Sequence, residues 1–228
     1  MEREHASQKR RGPVKEILGS LPAKFVSFEG IDGCGKSTVL GELASWLEAN
    51  SVRLLKTREP GGTHLGERVR GVLLDPSFDS MYERAEVLLY SASRAQLVHE
   101  VIRPALSMEM WVLADRYIDA TLAYQGFGRG LALGPLRQLQ DWATGGLWPD
   151  LTILLDCDII VASSRMKARN EGGDRMEQES RLFHQKVRDG YLELARSASD
   201  RFVVVDAGGP LQDVIEEART ALVDALTG

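Results

Sequence analysis

The sequence predicts one α/β domain, a five-stranded parallel sheet flanked by helices. Three observations predict it: five short apolar runs rich in strand formers, their mostly continuous rather than alternating pattern, and helically spaced stretches between them. Continuous apolar strands are those covered on both faces, and strand, helix, strand in repetition builds a parallel sheet. A length of 228 residues suits one such domain, since domains commonly hold roughly 100–200 residues. The 43% hydrophobic content is enough for a sizeable core.

The five strand candidates are KFVSFE (24–29), VRLLKT (52–57), MWVLAD (110–115), LTILLD (151–156) and RFVVVD (201–206). After the first, residues 36–49 place Leu40, Leu43, Ala44 and Leu47 at helical spacing. Residues 81–107 place Ala85, Leu88, Leu89 and Ala92 on one side, followed by Val98, Val101 and Ile102. A helix over 133–144 stops at Gly145-Gly146. Helices over 158–169, 176–197 and 210–226 complete the series. Residues 1–23 are polar and interrupted by Gly12, Pro13, Gly19 and Pro22, so they are expected to form a flexible extension to a domain spanning 24–228.

Charge and composition exclude several classes of function. The net charge is −5; residues 1–24 carry +3, which leaves −8 for the rest, so no basic footprint for nucleic acid exists. Two cysteines, Cys34 and Cys157, make no disulfide framework and suit a reducing, cytoplasmic location. The four histidines lie far apart, without metal-ligand spacing. No apolar run approaches the roughly 20 residues that would cross a membrane, and the basic N-terminus lacks the apolar segment of a secretory signal.

The strongest chemical signal follows the first strand. GIDGCGKS matches G-x-x-x-x-G-K-[ST], with Gly30, Gly35, Lys36 and Ser37 in the fixed places between a strand and a helix. Glycines let successive backbone N–H groups point inward at phosphate oxygens, and the following helix adds its positive dipole end. Lys36 suits the β- and γ-phosphates of a nucleotide, and Ser37 suits Mg²⁺. Such a loop serves kinases, motor ATPases and GTPases alike. Asp32 is a first discriminator, because an acid inside the loop would repel donor phosphates unless it faces a second substrate, where it could accept a hydrogen bond from a sugar hydroxyl. Cys34 fits as a small residue in a cramped loop.

Other candidates lie at strand ends, where doubly wound sheets bind ligands. Asp115 suits the Mg²⁺ shell, and Arg116 can bridge donor and acceptor phosphates. TREPGG brings Arg58 to the same rim, before a turn able to fit around a substrate. Tyr90 and Arg94, four apart, share a helix face and could stack a base and bind an oxyanion, or could be core and surface. YQGFGRG (124–130) is a glycine-rich loop with two aromatics and Arg129. SRMKARNEGGDRMEQES (164–180) carries Arg165, Lys167, Arg169 and Arg175 around two glycines, the pattern of a hinged lid that brings charge and excludes water.

Taken together, FEGIDGCGKST, TREPGGT, EVLLYSASRAQL, ADRY with AYQGFGRG, PDLTILLDCD and RNEGGDRMEQES occur in the order of the thymidylate kinases, and from about residue 24 to its end the chain resembles that family. The resemblance implies a three-layer P-loop kinase fold with a short lid, transfer of the γ-phosphoryl of ATP to dTMP with Mg²⁺, and a homodimer. It implies that Gly30, Ile31, Asp32, Gly33, Cys34, Gly35, Lys36, Ser37 and Thr38 form the ATP phosphate loop, with Asp32 also meeting the region of the acceptor's 3′-hydroxyl. Arg94 and Arg116 match arginines at the dTMP end, and Arg58 resembles a monophosphate contact. Tyr90 stands where the family stacks thymine, usually with Phe; Tyr124 crowds the 2′ side of the sugar; Thr121 and Gln125 neighbour base or sugar. Gly33 occupies the loop position where part of the family has a catalytic arginine, so Arg169 in the lid takes that role, as in the bacterial type. The lid is one residue longer than the family pattern, which leaves Arg165 or Arg175 able to share it. The remaining alternatives are a kinase for another nucleoside monophosphate and a nucleotide-binding switch.

Overall fold

The computed structural model describes residue 18 and residues 21–168 and 173–227. Its sheet has five parallel strands, β1 (Phe25–Glu29), β2 (Leu54–Arg58), β3 (Trp111–Asp115), β4 (Leu151–Asp156) and β5 (Phe202–Asp206), in the order β2-β3-β1-β4-β5. β1 is buried along its whole length, because it pairs with β3 and β4 and is covered on both faces. The register sets Phe28 opposite Asp115 and Glu29 opposite Leu154, so the carboxyl ends of the three central strands finish together. The second strand begins at Leu54 rather than at residue 52 and reaches Arg58, bringing that residue level with Asp115.

The first crossover carries helix α1 (Lys36–Ala49). The second carries α2 (His64–Leu74), α3 (Glu83–Leu97), a π-helical stretch Val98–Ile102 and α4 (Arg103–Ser107). The third carries α5 (Ile118–Thr121), which runs into a π-helical turn Leu122–Gly128, and then α6 (Leu133–Thr144). The fourth carries α7 (Ile159–Ala168) and α8 (Arg181–Ser197), and α9 (Leu211–Thr227) follows β5. The first crossover runs one way along the sheet and the next three run the other. Right-handed crossovers therefore put α1 on one face and the helices of the later crossovers on the opposite one, while α9 packs beside α1. Three layers result.

The core is continuous from Phe25, Phe28 and Ile153 in the sheet to Leu43 and Leu47 of α1. Leu18 is 1% exposed and belongs to it, so a domain boundary at residue 24 leaves a core residue on its outer side; residues 1–17, 19 and 20 lie outside the described residues. Two helical elements lie outside the expected series, α2, although Leu65, Val69, Val72 and Leu73 recur in it at helical spacing, and the run from α5 through the π-turn; the helix expected over 176–197 begins at Arg181 behind the N-cap Ser180.

Candidate active site

The loop after β1 takes its shape from backbone geometry. Gly30, Gly33 and Gly35 have φ of 138°, 83° and 99°, a region that side chains rarely adopt. At Gly33 a Cβ would also lie 2.3 Å from the Ala162 carbonyl oxygen, whereas at Gly35 it would meet nothing within 4 Å. That open side faces the start of α1, whose N-cap Gly35 supplies no side-chain acceptor and whose first turn has no acid. Uncapped N–H groups and an unopposed dipole make this an anion seat. Lys36, 7% exposed, donates from Nζ to the carbonyls of Gly30 (3.1 Å) and Ile31 (3.0 Å) and approaches Cys34 Sγ at 3.8 Å. The Cys34 side chain is buried; Thr38 is exposed on the first turn of α1.

Ser37 Oγ donates to Asp115 Oδ2 at 2.6 Å, which sets a hydroxyl and a carboxylate oxygen side by side at the mouth of the loop. Both are hard oxygen donors, and Mg²⁺ held by so few protein groups keeps room for waters and phosphate oxygens. The residues present therefore fit Mg²⁺ bound together with a nucleotide. Among the described residues no cluster of three or more His, Cys, Asp or Glu could hold a metal alone.

A second centre forms where the loop meets the exit of β3. Arg116 has φ of 71°, a left-handed conformation that costs an arginine about 1–2 kcal/mol. Its amide donates to the Phe28 carbonyl at 3.0 Å, and its side chain folds back over the loop. Arg116 Nη2 donates to Asp32 Oδ1 (2.6 Å) and to Tyr124 Oη (2.9 Å), and Nη1 donates to the Gly30 carbonyl (3.1 Å) and to Tyr191 Oη (3.2 Å). Tyr124 Oη in turn donates to Asp32 Oδ2 at 2.9 Å, and its ring lies 4.8 Å below the guanidinium. Burial works against the Asp32 charge; the charges of Arg116 and Lys36 and the hydrogen bonds from Tyr124 and Arg116 outweigh it and hold the carboxyl far below its ordinary range.

Two cavities meet at this centre. The phosphate-loop cavity is lined by Lys36, Ser37, Arg58 and Asp115 among others. The deeper one is lined by Tyr90, Thr121, Tyr124, Gln125, Leu74 and Met176. Asp32, Glu59, Arg70, Arg116 and Asp174 line both. Tyr90, Arg116, Thr121, Tyr124 and Gln125 are thus brought together as the sequence suggests. Arg58 stands on the phosphate-loop side, with Nη2 donating to Glu67 at 3.0 and 3.1 Å.

Arg94 is placed differently. It is 1% exposed and its guanidinium serves the protein: Nε donates to Glu59 Oε2 (2.7 Å), Nη1 donates to Thr121 Oγ1 (2.9 Å) and Gln140 Oε1 (2.5 Å), Nη2 donates to the Tyr117 carbonyl (2.9 Å), and Nη2 also lies 2.6 Å from Glu59 Oε2. It braces the wall of the deeper cavity from behind. Of the lid arginines, Arg165 donates to the Ala207 carbonyl (2.9 Å), and Arg175 Nε donates to the Leu73 carbonyl (2.7 Å) while its Nη2 lies 2.7 Å from Glu86 Oε2. Arg169 lies outside the described residues.

Three residues line the site without being anticipated, Glu59, Arg70 and Asp174, and two more, Glu29 and Glu86, stand behind it. Glu86 was legible, since 86, 90 and 94 recur every four residues on one helix face. Glu59 lies inside TREPGG. Arg70 sits on α2, whose buried residues are Gly66 and Leu73 alone, so hydrophobic spacing gives no hint of it. Glu29 is fully buried; Tyr117 N and Tyr191 Oη each donate to it at 2.7 Å.

Comparison with known proteins is consistent with this geometry. The family model described as thymidylate kinase matches residues 28–218. A thymidylate kinase of Geotalea daltonii is 47% identical over 210 residues, 90% of this chain and 98% of that relative. One from a Geobacter species is 50% identical over 202 residues, 85% and 90% of the two chains. Among solved structures, a crystal structure of thymidylate kinase from Ehrlichia chaffeensis superposes with a TM-score of 0.71 at 31% identity, covering 88% of this chain and 98% of that one.

Proposed function

This chain belongs to the thymidylate kinase family, and from that premise we propose how its two cavities transfer the γ-phosphoryl of ATP to dTMP, giving dTDP and ADP. The observation that carries the assignment is the shared wall: Asp32, Arg70 and Arg116 line both cavities, so a donor on one side and an acceptor on the other meet at one charged boundary.

ATP lies over Gly30–Thr38. Lys36 exchanges the carbonyls of Gly30 and Ile31 for β- and γ-phosphate oxygens, and the uncapped start of α1 receives the rest of the phosphate charge. Ser37 and Asp115 would hold Mg²⁺, which would supply positive charge to neutralise the triphosphate. dTMP takes the deeper cavity, its base beside Tyr90, Thr121 and Gln125 and its phosphate toward Arg116, with Arg70 and Arg58 at the boundary. The Tyr90 hydroxyl stays neutral there, since burial raises its pKa further above physiological pH. Asp32 meets the sugar hydroxyl region, and Tyr124, pinned between Asp32 and Arg116, crowds the 2′ side. The acceptor oxygen is already ionised, so alignment and positive charge suffice and no strong general base is needed. Arg165 and Arg175 are engaged with carbonyls and Glu86, and Arg169 is the lid cation assigned to the migrating phosphoryl.

No helix among the described residues is long and apolar enough to cross a membrane. The cytoplasm, where nucleotides and reduced thiols coexist, suits this activity, with ATP and dTMP as partners rather than nucleic acid. A homodimer is supported by the apolar groove between α3 and α6, lined by Val87, Leu88, Leu131, Pro135, Leu136 and Leu139, where Leu88 is 57% exposed. The deciding experiment measures ADP formation from ATP with dTMP, dUMP, UMP, CMP and AMP. dTMP is expected to have the highest kcat/KM. Comparable use of AMP defeats the dTMP reading, and brisk ATP hydrolysis without any acceptor favours a nucleotide switch.

A further inference from the structure

We propose that Glu86 is a positioning residue: it fixes which end of the Gln125 amide faces the deeper cavity, and so makes that cavity select a pyrimidine bearing an N–H at ring position 3. The proposal rests on the reading that this cavity holds the base of the acceptor.

Gln125 sits in the π-helical turn Leu122–Gly128, lines the cavity, and donates from Nε2 to Glu86 Oε1 at 2.7 Å. A primary amide offers hydrogens on one end and an oxygen on the other, and without a partner of fixed character it can turn either way. Glu86 supplies that fixed character. Its side chain is 0% exposed, and its Oε2 lies 3.1 Å from Arg129 Nη2 and 2.7 Å from Arg175 Nη2. Arg129 is itself held by Glu179 at 2.6 Å. Burial favours the neutral form of Glu86, but the hydrogen bonds from Gln125 and Arg129 and the charges of Arg129 and Arg175 outweigh it and keep the carboxyl below its usual range.

An ionised carboxylate only accepts. Gln125 must therefore turn its NH₂ to Glu86, which leaves its carbonyl oxygen as the end offered to the cavity. Thymine and uracil present N3–H, a donor, and match that oxygen. Cytosine presents a bare N3 lone pair, and two acceptors facing one another in a desolvated site leave both unpaired. The base preference thus depends on a residue that does not line the cavity. Arg175 stands at the lid side of Glu86, so the lid takes part in keeping Glu86 charged.

The test compares dTMP with 5-methyl-dCMP, which keeps the methyl group and changes the N3 edge, in wild type, Glu86→Gln and Gln125→Ala. In Glu86→Gln the partner can donate as well as accept, so the Gln125 amide is free to turn. Its KM for dTMP is expected to rise, and the dTMP to 5-methyl-dCMP ratio of kcat/KM to narrow, each about tenfold, with kcat at saturating dTMP and KM for ATP within about twofold of wild type. Gln125→Ala should narrow the ratio at least as far. If Gln125→Ala narrows it and Glu86→Gln leaves it within about twofold, the positioning role is overturned while base reading by Gln125 stands. If neither variant changes it, base reading by Gln125 fails and the positioning role fails with it. Should Glu86→Gln not fold, as judged by thermal denaturation, Glu86→Asp keeps the charge facing the two arginines and withdraws it by one methylene. It is expected to narrow the ratio about threefold, and an unchanged ratio overturns the proposal.

Discussion

Glu29 is the buried acid behind the arginine that joins the two cavities. Burial, with the Asp119 charge added, raises its carboxyl to about 8, against the lowering effects of Arg116 and the hydrogen bonds from Tyr191 and Tyr117. Folding therefore takes up a proton between the unfolded value near 4.5 and about 8. The associated stability is fully present below that window and is lost as pH rises through it, at up to about 1.4 kcal/mol per pH unit. Chemical denaturation from about pH 5 to 8 should show wild type losing more stability with rising pH than Glu29→Gln; parallel curves would reject the assignment. Glu59 is raised in the same direction by burial, but it is common to both proteins and cancels in the comparison. Asp32 is lowered, so its contribution is lost only as pH falls through the acid range, outside this window. Single-residue roles are also where sequence reading stopped short. The spacing of Tyr90 and Arg94 shows a shared face, yet whether a guanidinium reaches a ligand or a neighbour depends on partners distant in sequence. For Arg94 these are Glu59, Tyr117, Thr121 and Gln140, which only the folded topology assembles.

The legible elements are those with a regular apolar signature: the helical spacing of α1 and α6, set by burial on one side, and the continuous apolar runs of the central strands, set by burial on both faces. α2 and the π-turn escape this reading for different reasons: α2 carries Leu65, Val69, Val72 and Leu73 at helical spacing, yet Leu65 and Val72 stay exposed. α2 is held by its Thr63 cap, which accepts from Gly66 N at 2.9 Å, with little burial. The π-turn is buried through Leu122, Ala123, Tyr124, Gln125 and Gly126 together, so no polar side alternates with an apolar one. The turn keeps its place by close packing against α8. A Cβ at Gly190 would lie 2.5 Å from Phe127 Cγ and 2.6 Å from Phe127 Cβ, near the root of that side chain where it cannot swing aside. Gly190→Ala is therefore expected to destabilise the protein by about 1–3 kcal/mol. Because the displaced turn carries Tyr124 and Gln125, KM for dTMP should rise more than KM for ATP. Equal stability in a urea titration would show that the two elements can part without cost.

Across the whole molecule, α3 links the site to the outer surface: Glu86 faces the inner knot, and Leu88 lies on the exposed groove with α6. If that groove is the homodimer surface, light scattering of the wild type gives twice the 25.2 kDa chain mass, and Leu88→Glu shifts it to one chain mass. An unchanged dimer in that variant would move the interface elsewhere. The parallel sheet was readable because repeated strand, helix, strand units impose it; the strand order and the pairing of helix faces were not, since they follow from side chains that meet only after the sheet closes.

The anchoring of Arg94 by four hydrogen bonds has a practical side for anyone wishing to enlarge the base site. One flat cation ties the exit of β2, the start of the third crossover and α6 into a single rigid backing. Lysine, with three hydrogens on a pivoting head, could not span all three. Redesign for bulkier nucleobases should leave that rivet in place and trim the replaceable lining in front of it, beginning with the ring of Tyr90.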